Sequence, residues 1–185
     1  MHIFNLEKYH FIDKFEVDEL IKLENNISII YRNYSKPTDL STILKIKKFC
    51  KRKRMKFYLS NNIKLAIKLN LNGAYLPSFN KCFRVNCLSF KKNFKLIGSA
   101  HNLLQIRIKE KQKVNKLFIS SIFKKKNTFL GLNKFKNLSK FTKIPIIALG
   151  GINQDNFNKL NLLDIEGFAA IRFFKNKKRG PKGPL

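Results

Sequence analysis

Carboxylates are almost missing from the middle of this 185-residue chain. Seven of the eleven acids fall within the first 39 residues (Glu7, Asp13, Glu16, Asp18, Glu19, Glu24 and Asp39), and from Leu40 through Gln154 Glu110 stands alone. Chemistry that needs paired carboxylates, or a hard cation held by them, is therefore excluded from that stretch. Cysteine is equally sparse. Cys50, Cys82 and Cys87 are an odd set without CxxC spacing, which argues against a disulfide scaffold or a zinc site. No apolar run reaches the roughly 18 residues of a spanning helix, and the opening MHIFNLEKYH lacks the basic-then-apolar layout of a secretory leader. The expectation is one reduced, cytoplasmic domain that does not enter a membrane.

What is abundant is positive charge and apolar surface. Thirty-nine Lys and Arg against 11 Asp and Glu give a net charge of +28, yet 44% of residues are hydrophobic and 18 are Phe. That much apolar surface offsets the ordering entropy of a compact fold, so a disordered basic protein is excluded. The charge is densest in KIKKFCKRKRMK (Lys45 to Lys56) and FKKKN (Phe123 to Asn127). Two readings compete for it. One is a surface for nucleic acid or another polyanion; the other is compositional drift toward Lys, Asn, Ile and Phe, as A·T-rich codons produce. The aromatics alternate with aliphatics in strand-like runs instead of lying among Gly and Arg as stacking platforms do, which favours drift.

Short β-branched or aromatic runs recur at Tyr9–Ile12, Ile27–Tyr31, Lys56–Leu59, Gly73–Leu76, Phe94–Ile97, Lys116–Ser120, Ile144–Leu149 and Gly167–Ile171. Helical spacing fills most of the gaps. Val17, Leu20, Ile21 and Leu23 mark a first helix; Leu40, Ile43, Leu44, Ile46 and Phe49 a second, capped by Thr38 or Asp39; Ile63, Leu65, Ala66 and Leu69 a third, with Asn61 or Asn62 at its start. Leu103, Leu104, Ile106 and Ile108 mark a fourth, and two more follow around Leu132–Leu138 and Phe157–Leu163. Alternating strands and helices predict βαβ units, and eight strands predict an α/β fold: a compact TIM (β/α)8 barrel over residues 1–174. Pro77–Asn93 shows no helical period, so the fourth crossover is expected to be shortened or irregular. The runner-up is an open doubly wound sheet, which no GxGxxG after the first strand supports. Residues 175–185, KNKKRGPKGPL, read as a basic, disordered tail after a short last helix.

The sharpest local signal is IPIIALGGINQDNF. A buried strand ends at Gly150-Gly151, and a helix is expected next, with Asn153 or Asp155 as its cap. Glycines at such a turn let backbone N–H groups approach an anion, and barrels commonly hold phosphate at the loops after strands seven and eight. Arg172 follows the eighth strand at the same mouth.

These residues carry a resemblance. Ile144–Phe157 with GFAAI at Gly167–Ile171 resembles the closing section of the thiamine phosphate synthase/TenI family. IGSAHN (Ile97–Asn102) is similar to that family's turn after strand five, and SSIFKKKNTFLGL (Ser120–Leu132) to its segment after strand six. FYLSNNIKLAIKLNLNGAYL (Phe57–Leu76) resembles strands three and four with their intervening helix, and IIYRNYSK (Ile29–Lys36) the end of strand two. The resemblance implies a TIM barrel of thiamine biosynthesis that joins hydroxymethylpyrimidine diphosphate to thiazole phosphate, releasing pyrophosphate with Mg2+ on the diphosphate. It places Arg32 on a diphosphate-binding Arg, Ser99 and His101 on the Ser and His of the strand-five turn, Thr128 on a Thr of the strand-six loop, and Gly150 and Gly151 on the thiazole-phosphate glycines.

The departures sit where the metal belongs. Ser60-Asn61 stands in place of the family's Asn-Asp, and Asn80 near its second Mg2+-binding Asp, so Asn61 and Asn80 are degenerate metal positions and Mg2+ dependence is in doubt. Ile30 and Tyr34 replace a Gln and a Lys beside Arg32. Lys64 occupies an acidic position and Lys124–Lys126 line the strand-six loop, which makes lysine a candidate counter-charge for diphosphate. Two other readings stay open. One is a TenI-like thiazole tautomerase with His101 as proton shuttle. The other is a non-catalytic barrel whose exterior binds nucleic acid.

Overall fold

In the computed structural model, which describes residues 6–35, 39–124, 127–171 and 173–174, the first strand finds partners at both ends of the chain. Strand β1 (Glu7–Ile12) pairs in parallel with β2 (Ile27–Tyr31) on one side and with β8 (Gly167–Ala170) on the other, where His10 lies opposite Ala170. Between them β3 (Phe57–Ser60), β4 (Gly73–Leu76), β5 (Lys95–Ala100), β6 (Lys116–Ser120) and β7 (Ile146–Leu149) pair in chain order, all parallel, and close a barrel. The open-sheet alternative is thereby excluded. All eight expected strands are present; where their ends differ, the difference is one to three residues.

Helices α1 (Val17–Ile21), α2 (Leu40–Arg52), α3 (Ile63–Lys68), α4 (Leu103–Lys111) and α5 (Gly131–Ser139) return the chain along the outside. The caps follow local chemistry. Asp39 accepts from the Ser41 amide at the start of α2, Asn62 from Leu65 at α3, and Asn102 from Gln105 at α4. The fourth crossover is irregular as expected, with a five-residue 3-10 helix at Phe83–Cys87. A correction is needed after β7, where the expected α-helix is a 3-10 helix at Phe157–Leu162. A second concerns α4, whose predicted face is out of phase: Leu103 and Leu104 are 39% and 68% exposed, while Ile106 and Lys109 are fully buried. The short last helix and the basic tail fall on residues outside those described, as does Thr38.

Side chains alternate across each strand, so the sheet has an inner and an outer apolar face. The inner one is unusually aromatic, with Tyr9, Phe11, Tyr58, Tyr75 and Phe118 filling the barrel alongside Ile30, Ile97, Ile147 and Ala169. Their rings meet edge to face, Tyr9 and Phe118 at 5.0 Å and Phe11 and Tyr75 at 5.3 Å. The outer face packs against the helices, where Ile43, Ile46, Phe49 and Cys50 form the buried stripe of α2. The lysine run from Lys45 continues along that helix away from the strand C-termini, with Lys45, Lys48, Lys51 and Arg52 exposed. Among the described residues no helix is long and apolar enough to cross a membrane.

The ring interior leaves no room at Gly73. A Cβ there would lie 1.9 Å from the Lys95 carbonyl oxygen and 2.8 Å from the Tyr58 ring. Gly73→Ala is expected to lower stability by about 1–3 kcal/mol, read as a fall in the urea midpoint at unchanged slope.

At the N-terminal end of the barrel Lys116 bridges Glu7 and Glu166 at 2.7 and 2.8 Å, and the Tyr9 hydroxyl donates to Glu7 at 2.6 Å. Burial alone would raise the Glu7 carboxyl, but the Lys116 and Tyr9 hydrogen bonds and the Lys116 charge hold it below its ordinary 4.5. Its contribution is therefore present above the unfolded value and is lost as pH falls through the folded one. Between pH 6 and 3.5 the urea midpoint of Glu7→Gln should fall less than that of the parent chain.

Candidate active site

Because all eight strands run the same way, the residues that follow them share one rim. Arg32 follows β2, Asn61 follows β3, Asn80 lies in the loop after β4, Ser99 is the last residue but one of β5 with His101 just beyond its end, Thr128 lies in the loop after β6, and Gly150 and Gly151 follow β7. Topology thus gathers these candidate phosphate-site residues onto the C-terminal mouth. Arg172, Lys125 and Lys126 lie outside the described residues.

Arg32 is fixed from below. Its amide donates to the Ile12 carbonyl at 2.8 Å, and its guanidinium carbon sits 4.6 Å from the centre of the Phe11 ring. The buried Tyr75 hydroxyl is in hydrogen-bonding reach of both Ser99 and Arg32, and burial pushes its phenol up to about 12, so it stays protonated at neutral pH. Tyr75 was missed in the sequence, where it reads as one more apolar strand residue. Beside this group the Tyr34 hydroxyl shares a 2.6 Å hydrogen bond with Ser60, and the Tyr34 ring meets the exposed Phe79 edge to face at 5.4 Å. Two aromatic faces therefore stand at the β2–β4 side of the mouth.

Just past the end of β5, His101 is held through Nδ1, which lies 2.8 Å from the Ser120 carbonyl oxygen and 3.0 Å from Ser120 Oγ. A carbonyl only accepts, so Nδ1 carries a proton, and in the neutral ring the lone pair lies on Nε2. Helix α4 is capped by Asn102 and not by Ser99 or His101, although the Gln105 side chain also accepts from the His101 amide at 2.7 Å.

The glycine pair has a structural task that its sequence did not disclose. The Gly150 carbonyl accepts from the Phe123 and Lys124 amides at 2.8 and 3.2 Å, so the β6 loop lies directly on the β7 turn. A Cβ on Gly150 would fall 2.5 Å from Ser121 Oγ, and one on Gly151 2.5 Å from the Lys124 nitrogen; both glycines have positive φ, +109° and +79°. Thr128 is set in the same loop by its carbonyl, which accepts from the Ser121 amide at 3.0 Å. Behind Gly151 there is an asparagine turn where a helix end was expected. Asn153 and Asn156 each accept the other's amide at 3.0–3.1 Å, and Asn156 Nδ2 donates to the Gly151 carbonyl at 2.9 Å.

The two positions that the resemblance assigns to Mg2+ do not fit a divalent cation. Asn80 Nδ2 donates to Asn61 Oδ1 at 2.7 Å, and Asn80 Oδ1 accepts from the Cys82 amide at 3.0 Å. Both amides are neutral and their oxygens are already engaged, so neither offers the charged, free oxygen that makes a hard-cation site tight. Among the described residues no group of three or more His, Cys, Asp or Glu is gathered that could hold a metal ion.

Comparison with known proteins agrees with the barrel. Residues 15–174 match the family model described as thiamine monophosphate synthase. The thiamine-phosphate synthase of Pelagibacter ubique is 30% identical over 173 residues, spanning 88% of this chain and 82% of the relative. One from Prochlorococcus marinus is 26% identical over 82% of this chain, which spans just under half (46%) of that longer protein. Among solved structures, a thiamine phosphate pyrophosphorylase from Pyrococcus furiosus superposes with a TM-score of 0.74 at 20% identity, over 94% of this chain and 89% of that one. FabK from Thermotoga maritima gives 0.68 at 14% identity over 92% and 59%, a likeness of barrel alone. The chain belongs to the thiamine monophosphate synthase/TenI family.

Proposed function

We propose that this protein is a transferase of thiamine biosynthesis that joins hydroxymethylpyrimidine diphosphate to thiazole phosphate and releases pyrophosphate. The observation that carries the reading is the rim itself: Arg32, Tyr75 and Ser99 interlock on one side of the mouth, and the glycine turn with its overlying β6 loop stands on the other. In this reading the C–O bond to the diphosphate breaks and its electron pair leaves with the oxygen. The thiazole nitrogen lone pair then forms the new C–N bond, giving a thiazolium with no net proton transfer. Charge builds on the departing diphosphate, and a guanidinium already held over the Phe11 ring stands ready to stabilise it. The Tyr34 and Phe79 rings offer faces for the flat pyrimidine. Gly150, Gly151 and Thr128 border the side where the thiazole phosphate would sit, and two substrates held on facing arcs of one rim react as if in a single molecule.

The tautomerase alternative rests on His101 Nε2, and the relatives named above, being synthases, favour the transferase over it. No step is routed through a protein-held metal, because Asn61 and Asn80 do not fit one.

Incubating the purified chain with both precursors should yield thiamine phosphate and pyrophosphate; a folded protein giving neither product at high concentration overturns the synthase reading. Arg32→Gln should lower kcat/KM by roughly 100-fold or more, the scale of losing a charged donor to a leaving group. His101→Asn should leave synthase turnover within about tenfold, since the proposed reaction moves no proton through it.

A further inference from the structure

Lysine 109 is the most unusual side chain of the fold. It lies on α4 with no exposed surface, and none of its three partners is a carboxylate. Its Nζ donates to the Pro77 carbonyl at 2.9 Å, the Asn80 carbonyl at 2.8 Å and Gln112 Oε1 at 2.9 Å. The site is built for it. Gly98 on β5 leaves the space for its stem, since a Cβ there would lie 2.9 Å from Lys109 Cδ. A buried, fully bonded ammonium with no carboxylate partner calls for an explanation beyond packing.

The hydrogen bonds run in one direction from it. An ammonium only donates, so Gln112 must turn its oxygen toward Lys109 and its Nε2 outward. That Nε2 reaches the Asn80 and Cys82 carbonyls at 3.2 and 3.0 Å and Asn80 Oδ1 at 3.3 Å. With Oδ1 also receiving the Cys82 amide, Asn80 turns its Nδ2 to Asn61 Oδ1 at 2.7 Å. Asn61, exposed on the rim in a left-handed conformation (φ 57°) and anchored by its amide to the Tyr75 carbonyl at 2.8 Å, is left to show N–H to the mouth. Each link is a donor aimed away from the buried charge and toward the rim.

We infer that Lys109 is a positioning residue that polarises the Gln112–Asn80–Asn61 relay, so that the β3–β4 corner of the mouth meets a diphosphate oxygen through N–H donors and not through a protein-held divalent cation. The inference rests on the reading of the mouth as a diphosphate site. Reversing the relay at any link would present oxygen in place of N–H, and oxygen is what a hard cation needs.

The test uses inorganic pyrophosphate as probe, titrated calorimetrically into the intact protein in EDTA and in Mg2+, with Mn2+ binding followed separately by electron paramagnetic resonance without pyrophosphate. The chain should bind pyrophosphate in EDTA and bind no Mn2+ by itself. Lys109→Met should weaken pyrophosphate binding in EDTA by about tenfold. Should Lys109→Met fail to fold, Asn80→Asp still keeps the Cys82 and Gln112 bonds and reverses the relay from Asn80 outward. That variant should lose about tenfold in EDTA, regain it in Mg2+ and acquire Mn2+ binding. Pyrophosphate binding that requires Mg2+, Mn2+ bound by the unaltered chain, a folded Lys109→Met variant that binds pyrophosphate in EDTA as tightly as the unaltered chain, or an Asn80→Asp variant that behaves as the unaltered chain does would overturn the inference alone. No pyrophosphate binding in either buffer would overturn the diphosphate reading of the mouth, and the inference with it.

Discussion

Everything at the mouth depends on the hydrogen-bond ladder between the first strand and the last. Glu7 to His10 pair with Gly167 to Ala170 and turn a twisted parallel sheet into a ring. Closure satisfies both edges of the sheet and gives the barrel an inside, filled here by five aromatic rings. It also decides where chemistry can happen. Once all strands point the same way around a closed ring, eight loops distant in sequence must share one rim, and residues as far apart as Arg32 and Gly150 become neighbours of the same opening.

Most of that frame is legible in the sequence, for a simple reason. Each strand of such a barrel is buried on both faces, so IIALG or KLFIS reads as an uninterrupted apolar or β-branched run. The irregular fourth crossover was equally legible, because SFNKCFRVNCLSFKKN offers no helical period. What escaped was the phase of α4. Leu103 and Leu104 look like core and face outward, while Lys109 and Gln112 look like surface and are buried. The helical spacing Ile106–Lys109–Gln112 and the glycine at position 98 were the available signals, but a lysine at a core position overrides any ranking by hydropathy. The turn after β7 was misjudged for a related reason: Asn153 and Asn156 bond each other and satisfy the backbone that a helix end would otherwise have to satisfy.

The site was legible to the level of residues but not of contacts. Arg32, Ser99, His101 and the glycine pair could be placed from their motifs; the phenol that links Arg32 to Ser99 could not, because Tyr75 is indistinguishable from a core aromatic until its hydroxyl is seen. The exchange of carboxylate for amide at Asn61 and Asn80 is more than a loss of charge. A carboxylate only accepts, whereas an amide both accepts and donates, so the change permits a directed chain of hydrogen bonds at the place where a ligand cage would have stood.

The Gly150 carbonyl, by receiving the Phe123 and Lys124 amides together, makes the β6 loop and the β7 turn one mechanical unit. Neither can drift through mutation independently. A side chain at Gly150 or Gly151 would run into Ser121 or Lys124, so bulk in the turn demands compensation in the loop above it.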